Sequence, residues 1–555
     1  MPPEAQPIME WIVCFAPVAV LFVGITFVRA KIPAAAGTGL IVSLVAAAII
    51  GGIGESRVLE GAETGISSAL SILYAVWPAM FLYDILRESG AFETLRTFAQ
   101  SLTQDMLALV LLFAWVFSSF LQSITGFGVP VAVCAPFLVA LGIRPVPAVT
   151  MTLIGHSWGN TFGTLGMAWD ALVQMGPVEN TSATALFAGG LLWVVNLSGG
   201  MIVTGIYGGR RALRHGLPLI LLMSIIMGGG QTAVSLVDTT VACFLPSTIA
   251  LVAFALLIKF GFYKKPWHCD SWVSEIDPAT IYSDDARSGD AGNQEEATVL
   301  NRKDEPQAEA SPRSTAQLRY EGAIRQSGCT PSLHEAALCA SPFAFLVAIS
   351  LVIFVVPGVR ESVSTVQVGG IQIVGHAGFA LLASCLFASI VMTRANRLDA
   401  RKRIDACREA LRRLWSASAG IILLVIMARV MQTTGQMQIL AEGVASATGS
   451  AYLPFAPALG TFGAFITSSN MSSNILLAGF QHAMANSLGG NPALLLAAQT
   501  AGGAAGAAIG PSTILLGAAT VGATGREGEM LKPLLAVSFA QAAVLGIIAW
   551  AISAV

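Results

Sequence analysis

Charge is what this 555-residue chain has least of: Asp, Glu, Lys and Arg together make up 11% of it, and 55% is apolar. A soluble chain carries about a quarter charged residues, so a lipid-embedded class is indicated. Catalytic signatures are missing too. No Walker motif, HExxH or nucleophile elbow occurs, which leaves an ATP-driven pump or a membrane hydrolase without support. The eight cysteines show no metal-ligand spacing, and Cys14, Cys134, Cys243, Cys339 and Cys385 fall in apolar runs, where they read as small buried hydrophobes. No catalytic residue, metal site or cofactor is expected, and a formal charge of -2 gives no footing for nucleic acid.

What is abundant is apolar sequence in bilayer-length pieces. A helix needs about 20 apolar residues to cross. Such runs occupy 8–28, 33–52, 66–86, 183–207, 217–237, 239–262, 336–357, 375–393, 415–434 and 533–554, with longer polar-punctuated ones at 146–175 and 491–523. The first has an acidic leader and exceeds a signal-peptide core, so it reads as a retained span. Segments 108–142 and 453–488 differ: each is two apolar arms of roughly 15 residues, about 22 Å long, around a polar break. The expectation is an all-α integral membrane protein of about 12 transmembrane helices plus two re-entrant hairpins.

Basic residues orient it. Arg29 and Lys31, Arg87 and Arg96, Arg210, Arg211 and Arg214, Lys264 and Lys265, and the Arg394–Arg413 cluster all fall inside only if 108–142 returns to its own side. The N-terminus is then outside, in a bacterial cytoplasmic membrane. The halves 1–207 and 336–555 repeat the same order of elements in opposite orientation, with Ser89-Gly90 matching Thr434-Gly435 and Gly159/Gly163 matching Gly502/Gly506. Residues 208–262 supply two connecting spans. Residues 263–335, rich in Asp, Glu, Ser and Ala, read as a disordered cytoplasmic linker.

The two breaks carry the functional signal. Phe120-Leu-Gln-Ser-Ile-Thr-Gly-Phe-Gly-Val-Pro130 and Phe465-Ile-Thr-Ser-Ser-Asn-Met-Ser-Ser-Asn474 put glycine and small polar residues at membrane depth. Paired interruptions in two halves point to a transporter's substrate site at the repeat interface. Broken helices offer N–H groups to an anion and C=O groups to a cation. The substrate-binding candidates are Thr125, Gly126, Gly128, Ser469, Asn470, Ser472, Ser473 and Asn474. Ser157, Asn160, Thr161, Gln499, Thr500 and Ser512 join them from the punctuated spans. The plainer reading of any one of these is helix–helix packing.

Intramembrane charge is a functional candidate by default. Arg429 lies about 14 residues, roughly 21 Å, into its span and is a candidate for a substrate carboxylate. Asp84, His156 and Asp170 are candidates for coupling to H⁺.

Thr125-Gly-Phe-Gly-Val-Pro-Val-Ala132, Thr467-Ser-Ser-Asn-Met-Ser-Ser-Asn474 and Thr500-Ala-Gly-Gly-Ala-Ala-Gly506 with Pro511-Ser512 resemble the lactate permease family, over nearly the whole chain except 266–335. The resemblance implies an alternating-access symporter importing L-lactate, D-lactate or glycolate with H⁺, or with Na⁺ as coupling ion. It implies a small organic anion and the lipid bilayer as partners, and leaves a homo-oligomer open. Three positions depart from the family's pattern: Gln122 and Asn470 stand where acids are common, and Ala507 stands near a basic position. A Na⁺-coupled carrier of another small organic anion and a passive anion facilitator are the alternatives.

Overall fold

A computed structural model describes residues 6–28, 30–50, 55–267, 269, 273, 331–368 and 371–554. Almost all of it is helix, and the described strands are a two-residue antiparallel pair, Gln367–Val368 with Ile371–Gln372. Nine helical stretches among the described residues have the length and apolarity to cross a bilayer. The shortfall from the expected twelve has particular causes. Phe244–Lys259 is shorter than a full span, and helix 183–207 joins 217–237 through a turn of two glycines. Gly208 (φ -154°, ψ 24°) and Gly209 (φ 58°, ψ -145°) fold the second helix back on the first, so that Gly189 faces Thr232 and Gly228 faces Trp193. Arg210, Arg211 and Arg214 therefore sit on a helix rather than in a loop. The linker 263–335 lies outside the described residues except for its edges, and the next helix starts early. Ser332 and Glu335 form a reciprocal capping box that opens helix Leu333–Ser350.

Element order repeats. Two 34-residue helices, Glu55–Glu88 and Ala400–Thr433, stand 345 positions apart, and each ends in a left-handed glycine, Gly90 (φ 70°) and Gly435 (φ 78°). The pair packs antiparallel: Gly61 meets Val430, Gly65 meets Ile426, and Trp77 Nε1 donates to Ser418 Oγ at 3.0 Å. Contacts to their neighbours are reciprocal in the same register. Gly378 abuts the Tyr74 backbone, while Gly420 abuts Ile32 and Pro33. Mutual i-to-j contact of this kind is what two-fold related units make.

Each polar break turns the chain back beside itself. In the first hairpin Phe113 and Phe117, from Met106–Ile124, pack on Phe137 of Val129–Ala140, the first edge-on at 5.4 Å between centroids and the second stacked at 6.5 Å. Its two ends are tied to one short segment: Met106 N donates to Trp267 O (3.0 Å) and Arg144 N to Val273 O (2.8 Å). Six residues span at most about 22 Å, less than the roughly 30 Å of a hydrocarbon core. Entry and exit thus share one face of the molecule. In the second hairpin, Ala456–Thr467 and Asn470–Ser487 are pinned by Ser473 Oγ donating to Gly460 O at 2.9 Å, and at the base by Tyr452 OH donating to Gln481 Oε1 at 2.8 Å.

Glycine sets how close these hairpins sit to the broken helices. A Cβ at Gly155 would strike Ala114 O, and one at Gly502 would strike Pro457 O. Gly506 and Gly163 face backbone carbonyls in the same way, those of Thr461 and Gln122, while Gly159 faces the side chains of Cys243 and Gln122.

Candidate functional site

Four interruptions of regular helix meet in the middle of the molecule. The first is the tip Gly126-Phe127-Gly128, three consecutive left-handed residues (φ 55°, 49°, 81°). The second follows helix Pro145–His156: a 3-10 turn at Ser157–Asn160, then left-handed Thr164, Leu165 and Gly166 (φ 52°, 50°, 81°). The third is the second tip, where Ser468 is left-handed (φ 55°) and Ser469 caps helix Asn470–Ser487. The fourth is Ala507–Ile509 and Gly510, between Pro492–Gly506 and Pro511–Thr520. Non-helical backbone at such depth is tolerated only where protein or a cavity satisfies it.

A cavity of about 60 Å³ opens among all four, lined by Gln122, Phe127, Gly128, His156, Asn160, Thr164, Met167, Ala168, Ser468, Ser469, Asn470, Met471, Ala507 and Thr513. Among the described residues its wall holds hydroxyls and amides, one imidazole, and no carboxylate, lysine or arginine. Gln122 Nε2 donates to Asn160 Oδ1 (2.8 Å), and Asn160 Nδ2 donates to Ser157 O (2.7 Å). His156 Nδ1 lies 2.6 Å from Thr152 O, which places the proton on Nδ1 and leaves Nε2 as the nitrogen for a ligand. Gln122, Asn470 and Ala507, the three departures noted above, all line this cavity.

Behind it the halves are clasped by polar side chains. Thr161 Oγ1 and Thr500 Oγ1 are 3.0 Å apart, and Asn470 Nδ2 donates to Thr161 Oγ1 at 3.1 Å. Asn474 Nδ2 donates to Ala168 O (2.8 Å) and Thr500 Oγ1 (2.9 Å). Gln499 Nε2 donates to Ser473 Oγ (3.1 Å). The buried Oδ1 atoms of Asn470 and Asn474 have no hydrogen-bond donor.

A second cavity, about 460 Å³, shares Phe127, Ser468, Ser469, Met471 and Thr513 with the first, and adds Lys31, Ser472 and Ser512 among others.

The expected residues divide accordingly. Gly128, Asn160, Ser469, Asn470 and His156 line the inner cavity, and Ser472 and Ser512 the outer one. Thr161, Ser473, Asn474, Gln499 and Thr500 stand behind the wall. Thr125 and Ser157 return their hydroxyls to Leu121 O and Ile154 O and serve their own helices. Gly126 packs on Thr164. Arg429 is elsewhere: it donates to Gln432 Oε1 (3.2 Å) and Ser68 Oγ (3.3 Å) between the long helices. Asp84 pairs with Arg87 at 3.5 Å, and neither it nor Asp170 lines either cavity. The sequence alone gives Phe127, Thr164 and Thr513 no role, and it marks Lys31 for orientation alone.

Apolar spans, paired hairpins and a central polar cavity shared by two halves define a multi-pass membrane transporter. Comparison makes it specific: the family model described as L-lactate permease matches residues 10–289 and 326–555, and the chain belongs to that family. The L-lactate permease of Halalkalibacterium halodurans is 27% identical, covering 88% of this chain and 85% of its own. The L-lactate permease of Escherichia coli K12 is 25% identical (87% and 86%), and glycolate permease GlcA of the same organism 26% (97% and 94%). Family membership makes the chain a permease and not an enzyme. Among solved structures, the Alcanivorax borkumensis YdaH transporter aligns over 88% of this chain and 86% of its own with 12% identity and a TM-score of 0.42, a likeness too slight to carry argument.

Proposed function

We propose that this chain is a secondary active carrier that imports a small 2-hydroxymonocarboxylate, L-lactate, D-lactate or glycolate, together with a proton. The observation that carries the reading is the convergence of four helix breaks, two from each half, on one small cavity lined by hydroxyls, amides and His156. A 2-hydroxy acid needs donors for its carboxylate and a mixed partner for its hydroxyl. Ser469, Asn160 and Asn470 have the chemistry for both. The relatives' names supply the substrate class.

Coupling follows from charge. A carboxylate buried alone is costly. A proton on His156 Nε2 cancels it, so that the loaded site crosses the membrane neutral and an anion without a proton does not. We assign the halves to an inverted repeat around this site, with 108–142 and 453–488 as re-entrant hairpins. The molecule would sit in the bacterial cytoplasmic membrane with its N-terminus outside. Two pairings agree with the count of crossings, each joining residues assigned to one side: Arg397 with Thr94 (2.8 Å) and Arg360 with Asp238 (3.6 Å); the side itself rests on the basic residues.

Radiolabelled L-lactate uptake into proteoliposomes, with an inward proton gradient and no Na⁺, tests the reading. Accumulation above the external level is expected. In His156→Asn, gradient-driven accumulation and lactate–lactate exchange should both vanish while lactate still binds, because the loaded site would stay anionic; accumulation equal to the parent would remove His156 from the mechanism. The unpartnered Oδ1 atoms of Asn470 and Asn474 favour a second reading, Na⁺ coupling, since such oxygens suit a hard cation. Uptake that appears only when Na⁺ replaces choline at fixed pH would establish it.

A further inference from the structure

Among the described residues lining it, the inner cavity offers a carboxylate no fixed positive charge, yet the larger cavity beside it has one. Lys31 stands on the wall of the 460 Å³ cavity, and among the described residues lining that cavity it alone is charged. Facing it are small hydroxyl residues, Ser468, Ser469, Ser472, Ser512 and Thr513. Two helices also begin here. Ser472 N donates to Ser469 Oγ at the start of Asn470–Ser487, and Ser512 N donates to Ser468 Oγ at the start of Pro511–Thr520. Helix starts carry partial positive charge, so they reinforce the lysine.

Between the two cavities stands Phe127. It lines both, its residue is 37% exposed, and it holds a left-handed backbone (φ 49°) between two glycines. A bulky residue in that conformation is an outlier that neighbouring structure must hold in place. Gly126 and Gly128 make the turn, and the turn aims the ring into the passage.

We propose that the larger cavity is a second anion site on the cytoplasmic side, in which Lys31 and the hydroxyls of Ser472 and Ser512 receive a small organic carboxylate, and that the Phe127 ring is the partition between it and the inner cavity. Lys31 attracts the anion toward the cytoplasmic mouth, where long-range attraction raises encounter. The absence of a cation further in lets the anion move on, because a site that held it strongly at every step would not release it. The proposal rests on the carrier reading for the identity of the carboxylate; the electrostatics of the cavity can be tested apart from it.

Cysteine chemistry provides that test. Cys407 is the exposed cysteine of the described residues, and Cys329 lies outside them. With both replaced by serine, Ser512→Cys places a thiol in the outer cavity and Ala507→Cys places one in the inner. The anionic sulfonatoethyl and cationic trimethylammonioethyl methanethiosulfonates are then compared in the full-length protein in proteoliposomes, with neutral methyl methanethiosulfonate reporting that the thiol is accessible. At Ser512→Cys, Lys31→Glu should lower the anionic-to-cationic rate ratio by about tenfold, and Lys31→Arg should keep it. An unchanged ratio would mean that Lys31 faces lipid headgroups instead, and would overturn the site. At Ala507→Cys, Phe127→Ala should speed the anionic reagent severalfold, whereas an unchanged rate would overturn the partition. In transport, Lys31→Gln should raise the half-saturating lactate concentration for efflux from the cytoplasmic face with the maximal rate kept. If the parent moves no lactate, the reagent ratios still decide the site while the carrier reading falls.

Discussion

At the scale of single residues, two glycines with the same backbone sign make opposite demands. Gly90 has φ 70° and nothing within 4 Å of an added Cβ. Gly126 has φ 55°, and its Cβ would collide with Thr164 Oγ1. Gly90→Ala should therefore cost about 1 kcal/mol, the left-handed penalty alone. Gly126→Ala should cost about 3 kcal/mol, since two left-handed turns would be prised apart. Thermal unfolding of the purified protein in detergent checks this, and equal losses would mean that the tip packing is not as described. Sequence marked Gly126 because glycine beside a polar residue inside an apolar run has few innocent explanations. It could not mark Thr164 and Leu165, whose left-handed turn runs against what a β-branched and a bulky side chain prefer. Arg429 misled for a related reason. Counting along a helix gives depth but not azimuth, and its azimuth is toward Ser68 on the partner helix.

At the scale of elements, the second hairpin is held by a chain of side-chain amides and hydroxyls. Tyr452 OH donates to Gln481 Oε1, Gln481 Nε2 to Gln499 Oε1 (3.1 Å), and Gln499 Nε2 to Ser473 Oγ. All four residues are buried. Gln481→Leu cuts the chain at two links and strands a tyrosine hydroxyl and an amide, so a loss of about 3 kcal/mol is expected. Gln481→Glu keeps an acceptor for Tyr452 and, when neutral, a donor for Gln499, and should be milder at low pH than at high. A melting temperature for Gln481→Leu within error of the parent would show the chain to be dispensable. Ser473 and Gln499 were legible as polar interruptions. Their pairing was not, because 26 residues and a helix end separate them, and only the hairpin's return brings them together. The broken helices were legible as glycine-rich stretches within overlong spans, but their 3-10 turns carry no sequence mark of their own.

At the scale of the molecule, both ends of the first hairpin are tied to Trp267 and Val273, and the proposed re-entrant reading of that hairpin sets the expected side of each later point. A fluorescent protein inserted at residue 300 should fold and glow in the cytoplasm. Alkaline phosphatase fused after Val555 should be active, because the proposed crossings end outside. Activity of the fusion only in lysed cells would break the assignment. The 345-residue spacing of the two long helices and their Gly ends were legible as apolar runs and a following glycine. Which backbone each glycine faces was not, since sequence shows spacing and not contact.

The register of 345 positions that relates the long helices also relates Lys31 to His376, and Pro33 to Gly378. His376 starts helix Ala377–Arg394 as Lys31 stands before Ile32–Ile50, and it lies 3.3 Å from Ser71 Oγ and against the Tyr74 ring. Under the proposed alternation of the two halves, the twin of the permanently charged doorpost is an imidazole. The two entrances would then differ in kind: one attracts anions at every physiological pH, the other only when acid has reached it. A duplicated chain can thus keep its fold symmetric while its traffic is biased.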